Sequence, residues 1–272
     1  MNIHGKRVLI TGASGGLGTA TMAALVEKGC KVIGIDKVAS AQFMGDTIVA
    51  DLTDEVQTKD AVAAAIERLG GLDVLINNAG VLDLQDPGST PTAGTREHIE
   101  VNLIAPWRVT AAALPALIES RGRVVNVSSL VALVGSAFHP AYCSTKRALV
   151  GYSDVLRMQY GDRITVTCVY PGYMATPIHR EVERKGLSAA KLVSFGVGKR
   201  TLLSLEEPLD VAAQSMVRAC FGRPARERCL TFRGTLSLLA ARHASALVDW
   251  LTRWRVGNLV RAGMQVRLDQ QA

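Results

Sequence analysis

The sequence has little that would support a metal site, a disulfide framework or a membrane span. Its five cysteines are scattered and odd in number, without a CxxC pair or a His/Cys cluster, so we expect reduced thiols and no metal ligands. No uninterrupted apolar run approaches the roughly 18 residues of a transmembrane helix, and the first apolar run is too short for a signal peptide. Aromatic residues make up only 5%. These features favour a cytoplasmic protein with an aliphatic core.

The composition of the 272 residues is otherwise that of a globular chain, with 48% hydrophobic residues and 25 glycines. The net charge of +7 is distributed unevenly. Residues 1–177 carry 15 basic and 16 acidic side chains, whereas residues 178–272 carry 16 and 8. The basic excess is therefore confined to the C-terminal third, where it concerns partners rather than the core.

Short apolar runs alternate with helical patterns over most of the chain. Most runs are continuous, which is typical of strands buried on both faces of a parallel sheet. We therefore predict a Rossmann-type doubly wound α/β fold, with one domain over 1–230 and a helical extension over 231–272. Predicted strands cover 8–10, 30–36, 47–50, 72–80 with its loop, 122–129, 163–172 and 230–232, and predicted helices cover 19–28, 60–69, 99–117 and 142–160.

A glycine-rich loop, TGASGGLG, follows the first strand and opens the first helix. Gly12, Gly16 and Gly18 would let the backbone approach a pyrophosphate at the helix N-terminus. Asp36 ends the second strand, where a carboxylate can accept hydrogen bonds from ribose hydroxyls and would repel a 2′-phosphate. We therefore expect NAD rather than NADP, although Lys37 alongside could accommodate a phosphate.

Tyr142 and Lys146 lie four residues apart in AYCSTK. In a helix they share one face, and a cation beside a phenol lowers the pKa of the phenol towards values useful for proton transfer. For the pair alone, a packed tyrosine and a solvated lysine are the favoured interpretation.

Together with NNAG at 77–80, these motifs resemble the short-chain dehydrogenase/reductase family from about residue 5 to about residue 220. The resemblance rests on the glycine spacing of the loop, an acidic end of the second strand, Asp51-Leu52, Asn102, a serine 13 residues before Tyr142, and a Pro-Gly pair after the sixth strand.

The resemblance implies a catalytic group of four residues. Tyr142 would be the general acid/base, and Lys146 would lower its pKa and bind the nicotinamide ribose. Ser129 would polarise the substrate oxygen, and Asn102 would kink its helix and hold a water. Ser128 is an alternative to Ser129 that we expect to pack or to bind backbone.

Cofactor contacts implied by the resemblance lie at several loops. Thr176 would bind the nicotinamide carboxamide, and Asp51 would frame the adenine unless it is a helix N-cap instead. Cys143, next to the tyrosine, is expected to pack rather than to act as a nucleophile. The full set is Gly12, Ser14, Gly16, Leu17, Gly18, Asp36, Asp51, Leu52, Asn78, Ala79, Gly80, Tyr142, Lys146, Pro171, Gly172 and Thr176.

Residues 178–204 take the place of the family's substrate lid. The residues expected to line the pocket are mostly apolar, which indicates a small apolar secondary alcohol or ketone, steroid-like or lipid-like. His139 would contact a polar substrate group or lie in a surface loop. The set is Leu130, Val131, Leu133, Val134, Phe138, His139 and Tyr173.

The extension carries an apolar stripe with helical spacing, Leu247, Trp250, Leu251 and Trp254, among several arginines. Three interpretations remain open. The stripe packs on its own domain or on another subunit, lies on an anionic membrane surface, or caps the substrate pocket. Nucleic acid is not an expected partner, whereas the family often forms homodimers and homotetramers through the helices of Asn102 and Tyr142.

The sequence thus predicts an NAD(H)-dependent oxidoreductase acting on an apolar secondary alcohol or ketone. Two alternatives are an NADPH-dependent carbonyl reductase and a non-catalytic dinucleotide-binding regulatory protein. We expect the protein to be cytoplasmic, and peripheral to a membrane if the extension binds lipid.

Overall fold

The computed structural model describes residues 3–43, 46–186, 194–197, 200–204 and 206–261. A seven-stranded parallel sheet has the strand order β3-β2-β1-β4-β5-β6-β9, which confirms the predicted Rossmann-type fold. Its strands are β1 Arg7–Thr11, β2 Lys31–Asp36, β3 Thr47–Val49, β4 Val74–Asn77, β5 Arg123–Val127, β6 Thr165–Tyr170 and β9 Glu227–Cys229.

Helices cover both faces of this sheet, so the central strands are buried on both sides. Val8, Leu9 and Ile10 of β1 are fully buried, as expected for a continuous apolar run at the centre of a parallel sheet. Helices α1 and α8 pack together on one face, and α2, α4 and α6 cover the other. These helices are α1 Gly16–Glu27, α2 Glu55–Leu69, α4 Ala105–Glu119, α6 Pro140–Tyr160 and α8 Leu209–Phe221.

Several helices begin earlier than the sequence pattern indicates, and the cause is visible for two of them. Helix α2 starts five residues before the predicted Asp60, because the side chain of Asp54 caps it by accepting a hydrogen bond from the Gln57 amide. Helix α6 starts at Pro140, which suits the first helical position since its missing N–H would have no partner there.

The last predicted strand, 230–232, is wrong. Strand β9 lies three residues earlier, at Glu227–Cys229, and pairs in parallel with β6 at the sheet edge. Thr231 instead caps the next helix, since its hydroxyl accepts a hydrogen bond from the Gly234 amide at 3.0 Å. The misplacement has a simple cause: β9 is short and partly charged, so no apolar run marks it.

A long helical stretch runs from α3, Ala93–Ile99, through one π-helical turn, Glu100–Ile104, into α4. The span Ala93–Glu119 is long and apolar enough to resemble a membrane helix, with a hydropathy of 1.4. Val109 and Leu117 of this stretch are fully buried in the core beneath the sheet, whereas Ile99 and Trp107 are 41% and 54% exposed. Core packing thus explains much of the apolarity of this stretch.

The region predicted as a lid contains α7, Arg180–Arg184, and an antiparallel hairpin of β7, Ser194–Val197, and β8, Arg200–Ser204. The extension forms two helices, α9 Phe232–His243 and α10 Ser245–Arg261. Residues 187–193 of the lid and 262–272 of the extension lie outside the described residues. The short helix α5, Val131–Val134, precedes α6.

Candidate active site

A cavity of about 960 Å³ opens at the carboxyl ends of β1, β2, β4, β5 and β6. Ligands of open α/β sheets bind at this edge, where the loops leave the strands. Ser129 lines the cavity together with every residue predicted to contact the cofactor, whereas Asn102 does not. The predicted cofactor contacts that line the cavity are Gly12, Ser14, Gly16, Leu17, Gly18, Asp36, Asp51, Leu52, Asn78, Ala79, Gly80, Tyr142, Lys146, Pro171, Gly172 and Thr176.

The glycine-rich loop is packed so closely that side chains would not fit. Gly12 has a φ of +67°, and a Cβ there would lie 2.8 Å from the Cα of Ala79. A Cβ at Gly16 would lie 2.7 Å from the Thr176 side chain. The bare backbone at the start of α1 therefore faces the cavity, as a pyrophosphate site requires.

Asp36 is oriented by this loop. Its carboxylate accepts hydrogen bonds from the Ser14 amide at 2.9 Å and the Val38 amide at 3.3 Å. Lys37, beside it, forms an ion pair with Asp51 at 3.2 Å. The one cation next to Asp36 in the chain is thus already engaged by another carboxylate.

Asp51 is not the N-cap of α2, because Asp54 occupies that position. Its carboxylate accepts hydrogen bonds from the Thr53 amide at 2.9 Å and the Thr53 hydroxyl at 2.7 Å. Burial favours a higher pKa for Asp51, but these bonds and Lys37 outweigh burial and lower the pKa. Asp51 therefore presents an ionised carboxylate at the rim of the cavity.

Tyr142, Ser129 and Lys146 meet on one wall of the cavity. Ser129 lies beside the phenol of Tyr142, where it favours the ionised form, whereas the hydroxyl of Ser128 donates to the Lys146 carbonyl at 2.8 Å. Lys146 is buried, and its Nζ lies 5.7 Å from the centroid of the Tyr142 ring and donates to the Val127 carbonyl at 3.0 Å. The structure therefore selects Ser129 over Ser128 as the serine beside the tyrosine.

The pKa values of this pair reflect burial. Burial raises the pKa of Tyr142 to about 12, although the nearby Ser129 acts in the opposite direction. Burial lowers the pKa of Lys146 to about 8. The expected lowering of the Tyr142 pKa beside Lys146 is not seen in this structure, because desolvation of the buried phenol outweighs the interactions that favour the phenolate.

Cys143, the next residue, has a pKa raised by burial. A thiol in that state is a weak nucleophile, which agrees with the expected packing role.

Asn102 lies behind the cavity wall and contacts the loop that forms it. It is fully buried in the π-helical turn. Its side chain accepts from the Val81 amide at 2.9 Å and donates to the Val81 carbonyl at 3.0 Å. A Cβ on Gly80 would lie 3.2 Å from both the Asn102 oxygen and Lys146 Nζ. Asn102 thus holds the loop that borders the lysine.

The far end of the cavity is mostly apolar. Leu130, Val131, Val134, His139 and Tyr173 line it as predicted, but Leu133 and Phe138 do not. Phe138 instead packs in a small cluster that includes the ring of Tyr142. Further residues line the cavity that no sequence motif indicated. Those in the segment after Tyr173 are Met174, Ile178 and His179.

His139 is not in a surface loop, because it is only 7% exposed and forms part of the cavity wall. Its Nδ1 donates to the Ala137 carbonyl at 2.7 Å. Burial lowers its pKa.

The two helices of the extension cover the cavity. Ser237 and Ala240 of α9, and Val248, Leu251 and Thr252 of α10, line it. The structure therefore places the extension over the pocket, the third of the interpretations left open by the sequence. Trp250 and Trp254 are 56% and 51% exposed, so most of the predicted apolar stripe faces outward and is not packed on the domain.

Glu207 ties this cover to the sheet, and no sequence motif pointed to it. The residue is 2% exposed, and its carboxylate accepts hydrogen bonds from the Gly172 amide at 3.0 Å and the Thr231 hydroxyl at 2.6 Å. It thereby joins the loop after β6 to the start of α9.

Comparison with known proteins places this arrangement in a family. The family model described as short chain dehydrogenase matches residues 6–186. The L-fucose dehydrogenase of Bos taurus is 33% identical over 226 residues, covering 79% of this chain and 83% of that protein. A 2,5-dichloro-2,5-cyclohexadiene-1,4-diol dehydrogenase of Sphingobium indicum is 33% identical over 223 residues, covering 77% and 87%.

A solved structure shares the fold. The 3-ketoacyl-(acyl-carrier-protein) reductase from Brucella melitensis, complexed with NADH, superposes with a TM-score of 0.74 at 24% identity, covering 86% of this chain and 99% of that chain. The family match spans more than half of the chain and agrees with the loop, tyrosine and lysine found at one cavity. The protein is an oxidoreductase of the short-chain dehydrogenase/reductase family.

Proposed function

We propose that this protein is an NAD(H)-dependent dehydrogenase that interconverts a mainly apolar secondary alcohol and its ketone. The proposal is carried by one observation: Tyr142, Ser129 and Lys146 meet on a wall between a glycine-rich nucleotide site and an aliphatic pocket. A bound nicotinamide dinucleotide would exchange the hydride with the substrate carbon. The side chains of the wall would handle the proton.

In this proposal Tyr142 is the general acid and base. Its raised pKa keeps the phenol protonated at neutral pH, so it can donate its proton to a ketone oxygen during reduction. The phenolate left by that step is the base that takes the proton of the alcohol in the reverse direction, so oxidation requires the phenol to lose its proton first. Ser129 would hydrogen-bond the same oxygen and stabilise the charge that develops on it. Lys146, held by Val127, would place its ammonium beside the ribose and next to Tyr142.

The preference for NAD over NADP rests on Asp36. Its carboxylate is fixed by two backbone amides at the end of β2, where a 2′-phosphate would be repelled. Lys37 does not offset this charge because it pairs with Asp51.

The substrate class rests on the lining of the far pocket. Leu130, Val131, Val134, Ile178 and Leu251 provide aliphatic surface there, which favours an apolar ring or chain. The diol named for the Sphingobium relative is such a compound, since its six-membered ring carries two chlorines and two hydroxyls.

We also propose a homodimer or homotetramer formed through α4 and α6. Trp107 of α4 stacks on Tyr152 of α6 with ring centroids 5.0 Å apart and is 54% exposed. Val155 and Met158 of α6 are 60% and 84% exposed. Such exposed apolar side chains on α4 and α6 favour burial against a second copy.

For the outer face of α9 and α10 we propose contact with an anionic membrane surface. Residues 232–261 contain five arginines and one aspartate, a charge balance that complements anionic lipid. Leu239, Leu247, Trp250 and Trp254 are between 48% and 56% exposed on these helices. Tryptophan beside arginine suits the interface between lipid head groups and acyl chains, so the protein would be cytoplasmic with a peripheral contact.

The membrane contact is tested by co-sedimentation with vesicles of phosphatidylcholine, with and without phosphatidylserine. Binding should require phosphatidylserine, weaken with salt, and be lost in a Trp250→Ser/Trp254→Ser variant. Equal recovery in the supernatant with both vesicles would exclude this contact. Concentration-dependent dimerisation lost in the same variant would assign the face to a second copy instead.

The activity is tested by following NADH or NADPH formation from NAD+ or NADP+ with a panel of secondary alcohols. The panel runs from cyclohexanol and cyclohexanediols to steroid alcohols, with L-fucose included because of the bovine relative. We expect turnover with NAD+ on the apolar ring alcohols. Tight NADH binding with no turnover across the panel would favour the regulatory alternative, and preference for NADP+ would refute the assignment of Asp36.

A further inference from the structure

We propose that His139 is a specificity-determining residue that accepts a hydrogen bond from a second hydroxyl group of the substrate. The inference rests on the proposed function and adds a polar requirement to a pocket that is otherwise aliphatic. It would make the preferred substrate a ring diol or a hydroxyketone rather than a simple alcohol.

The orientation of the imidazole is fixed by its neighbours. Nδ1 lies 2.7 Å from the Ala137 carbonyl and 3.2 Å from the Ser136 hydroxyl. A carbonyl oxygen only accepts hydrogen bonds, so Nδ1 must carry the proton. In the neutral ring Nε2 then has a lone pair and no hydrogen, and no hydrogen bond from a described residue reaches it.

His139 lies on the wall of the cavity that also contains Tyr142. The side chain is 93% buried, since only 7% is exposed, yet it lines the cavity. His139 immediately precedes α6, and Tyr142 follows three residues later; both residues line the cavity. Because His139 lines the cavity, a ligand hydroxyl there can donate to the lone pair of Nε2.

Neighbouring groups keep the ring neutral. Burial lowers the pKa of His139, and the nearby His179 and His98 lower it further, although the Ala137 carbonyl and Asp83 act in the opposite direction. A neutral ring with a protonated Nδ1 offers only an acceptor to the cavity.

His179, on the same cavity, offers a second unpartnered nitrogen. Its Nδ1 is buried without a hydrogen-bond partner among the described residues, and its ring lies 4.8 Å from that of Tyr173. Burial lowers its pKa as well. Two imidazole rings, those of His139 and His179, therefore contribute to the polar part of the pocket wall.

An acceptor distinguishes a hydroxyl from groups of similar size that cannot donate. A methoxy group in the same place would leave Nε2 and the ether oxygen facing each other without a hydrogen. A site that hydrogen-bonds a substrate hydroxyl discriminates strongly in kcat/KM against analogues that lack the hydroxyl, because the polar group of the site is then left without a partner. We expect roughly a 10- to 100-fold lower kcat/KM for the methyl ether.

The test compares cyclohexanediol isomers, their mono-methyl ethers and cyclohexanol, with NAD+ and the full-length chain. For the wild type, at least one diol should exceed its ether by roughly 10-fold or more in kcat/KM. His139→Phe should remove this difference. His139→Gln, whose side-chain oxygen can still accept, should restore part of it.

Matched controls separate the possible failures. His243→Phe changes an exposed histidine outside the cavity and should leave the diol preference intact. Equal kcat/KM for diols and ethers in the wild type, or an unchanged diol preference in His139→Phe with normal NADH binding, would overturn the inference alone. Absence of turnover of every ring alcohol by the wild type would overturn the proposed function, and the inference with it.

Discussion

The floor and the roof of the active-site cavity are built in different ways. The floor, made by the loops after β1, β4 and β5 and the start of α6, holds its polar side chains in fixed bonds. Asn102 is fully buried and Lys146 is 3% exposed, and both are bonded to backbone atoms of neighbouring segments. The roof, α9 and α10, contributes small and aliphatic side chains and leaves Trp250 and Trp254 half exposed.

The difference separates two tasks. Proton transfer needs groups placed within a fraction of an ångström, which buried bonds to backbone provide. Covering an apolar substrate needs surface but little directionality, which two helices joined to the sheet through Glu207 can supply. Changes in the floor should therefore affect the chemical step or the cofactor, and changes in the roof should affect substrate binding.

The largest effect is expected for Tyr142→Phe in the floor. Removing the phenolic hydroxyl removes the proton donor and acceptor, so kcat/KM should fall roughly 10³- to 10⁴-fold. Binding of NADH, followed by fluorescence titration, should change little.

Tyr160→Phe makes the same change at the other end of α6, outside the cavity, and serves as its control. A loss of activity in Tyr160→Phe as large as in Tyr142→Phe would show that the effect reflects the helix rather than the site.

Lys146→Met should raise the stability of the protein without cofactor while abolishing activity. The lowering of the Lys146 pKa from 10.5 to about 8 means that the folded chain resists holding the charge. Below pH 8 the buried charge lowers the free energy of unfolding by about 3 kcal/mol. The variant also loses the bond to Val127, so its net gain in the free energy of unfolding should be about 2 kcal/mol, or roughly 5 °C in Tm.

The sign of the pH dependence follows from the same shift. Between pH 8 and 10.5 the unfolded chain binds more protons at this lysine than the folded chain, so this contribution to wild-type stability rises with pH. The advantage of Lys146→Met should therefore be full at pH 7 and shrink above pH 8. A variant less stable than the wild type in thermal melts at pH 7 would contradict this account of the floor.

Asp36→Asn tests the cofactor end of the floor. The amide keeps the shape and one acceptor but loses the negative charge, so discrimination against NADP+ should fall by roughly 10-fold or more. The ratio of kcat/KM for NAD+ and NADP+ measures this. Asp46→Asn, at an exposed carboxylate, should leave the ratio unchanged, and an equal change in both variants would indicate a general effect of charge.

The smallest effect is expected in the roof, for Leu251→Ala. Leu251 lines the cavity and is 39% exposed, so its truncation removes only part of an apolar contact. KM for a bulky apolar alcohol should rise roughly 3- to 10-fold while kcat stays nearly constant. A fall in kcat with unchanged KM would remove the distinction between floor and roof.

Much of the floor could be predicted from the sequence. The sheet, the glycine-rich loop and the Tyr142–Lys146 pair follow from local rules, since a continuous apolar run, a turn that only glycine fits and an i, i+4 spacing each have one main structural outcome. The structure brings all of the predicted cofactor-contacting residues to one cavity.

The roof and the electrostatics could not be predicted in this way. Strand β9 lacks an apolar run, and the position of α9 and α10 depends on tertiary contacts such as those of Glu207. The burial of His139 also depends on the packing of the segment before α6, although its sequence suggests a loop. The raised pKa of Tyr142 reflects desolvation, which spacing along the chain cannot reveal.

The most direct test of the proposed activity follows the hydrogen itself. The protein would be incubated with NAD+ and a cyclohexanediol deuterated at its carbinol carbons, and the NADH would be analysed by mass spectrometry. The account predicts NADH that carries deuterium in the wild type and almost none formed by Tyr142→Phe. NADH without deuterium, or the same yield from Tyr142→Phe, would contradict hydride transfer assisted by this tyrosine.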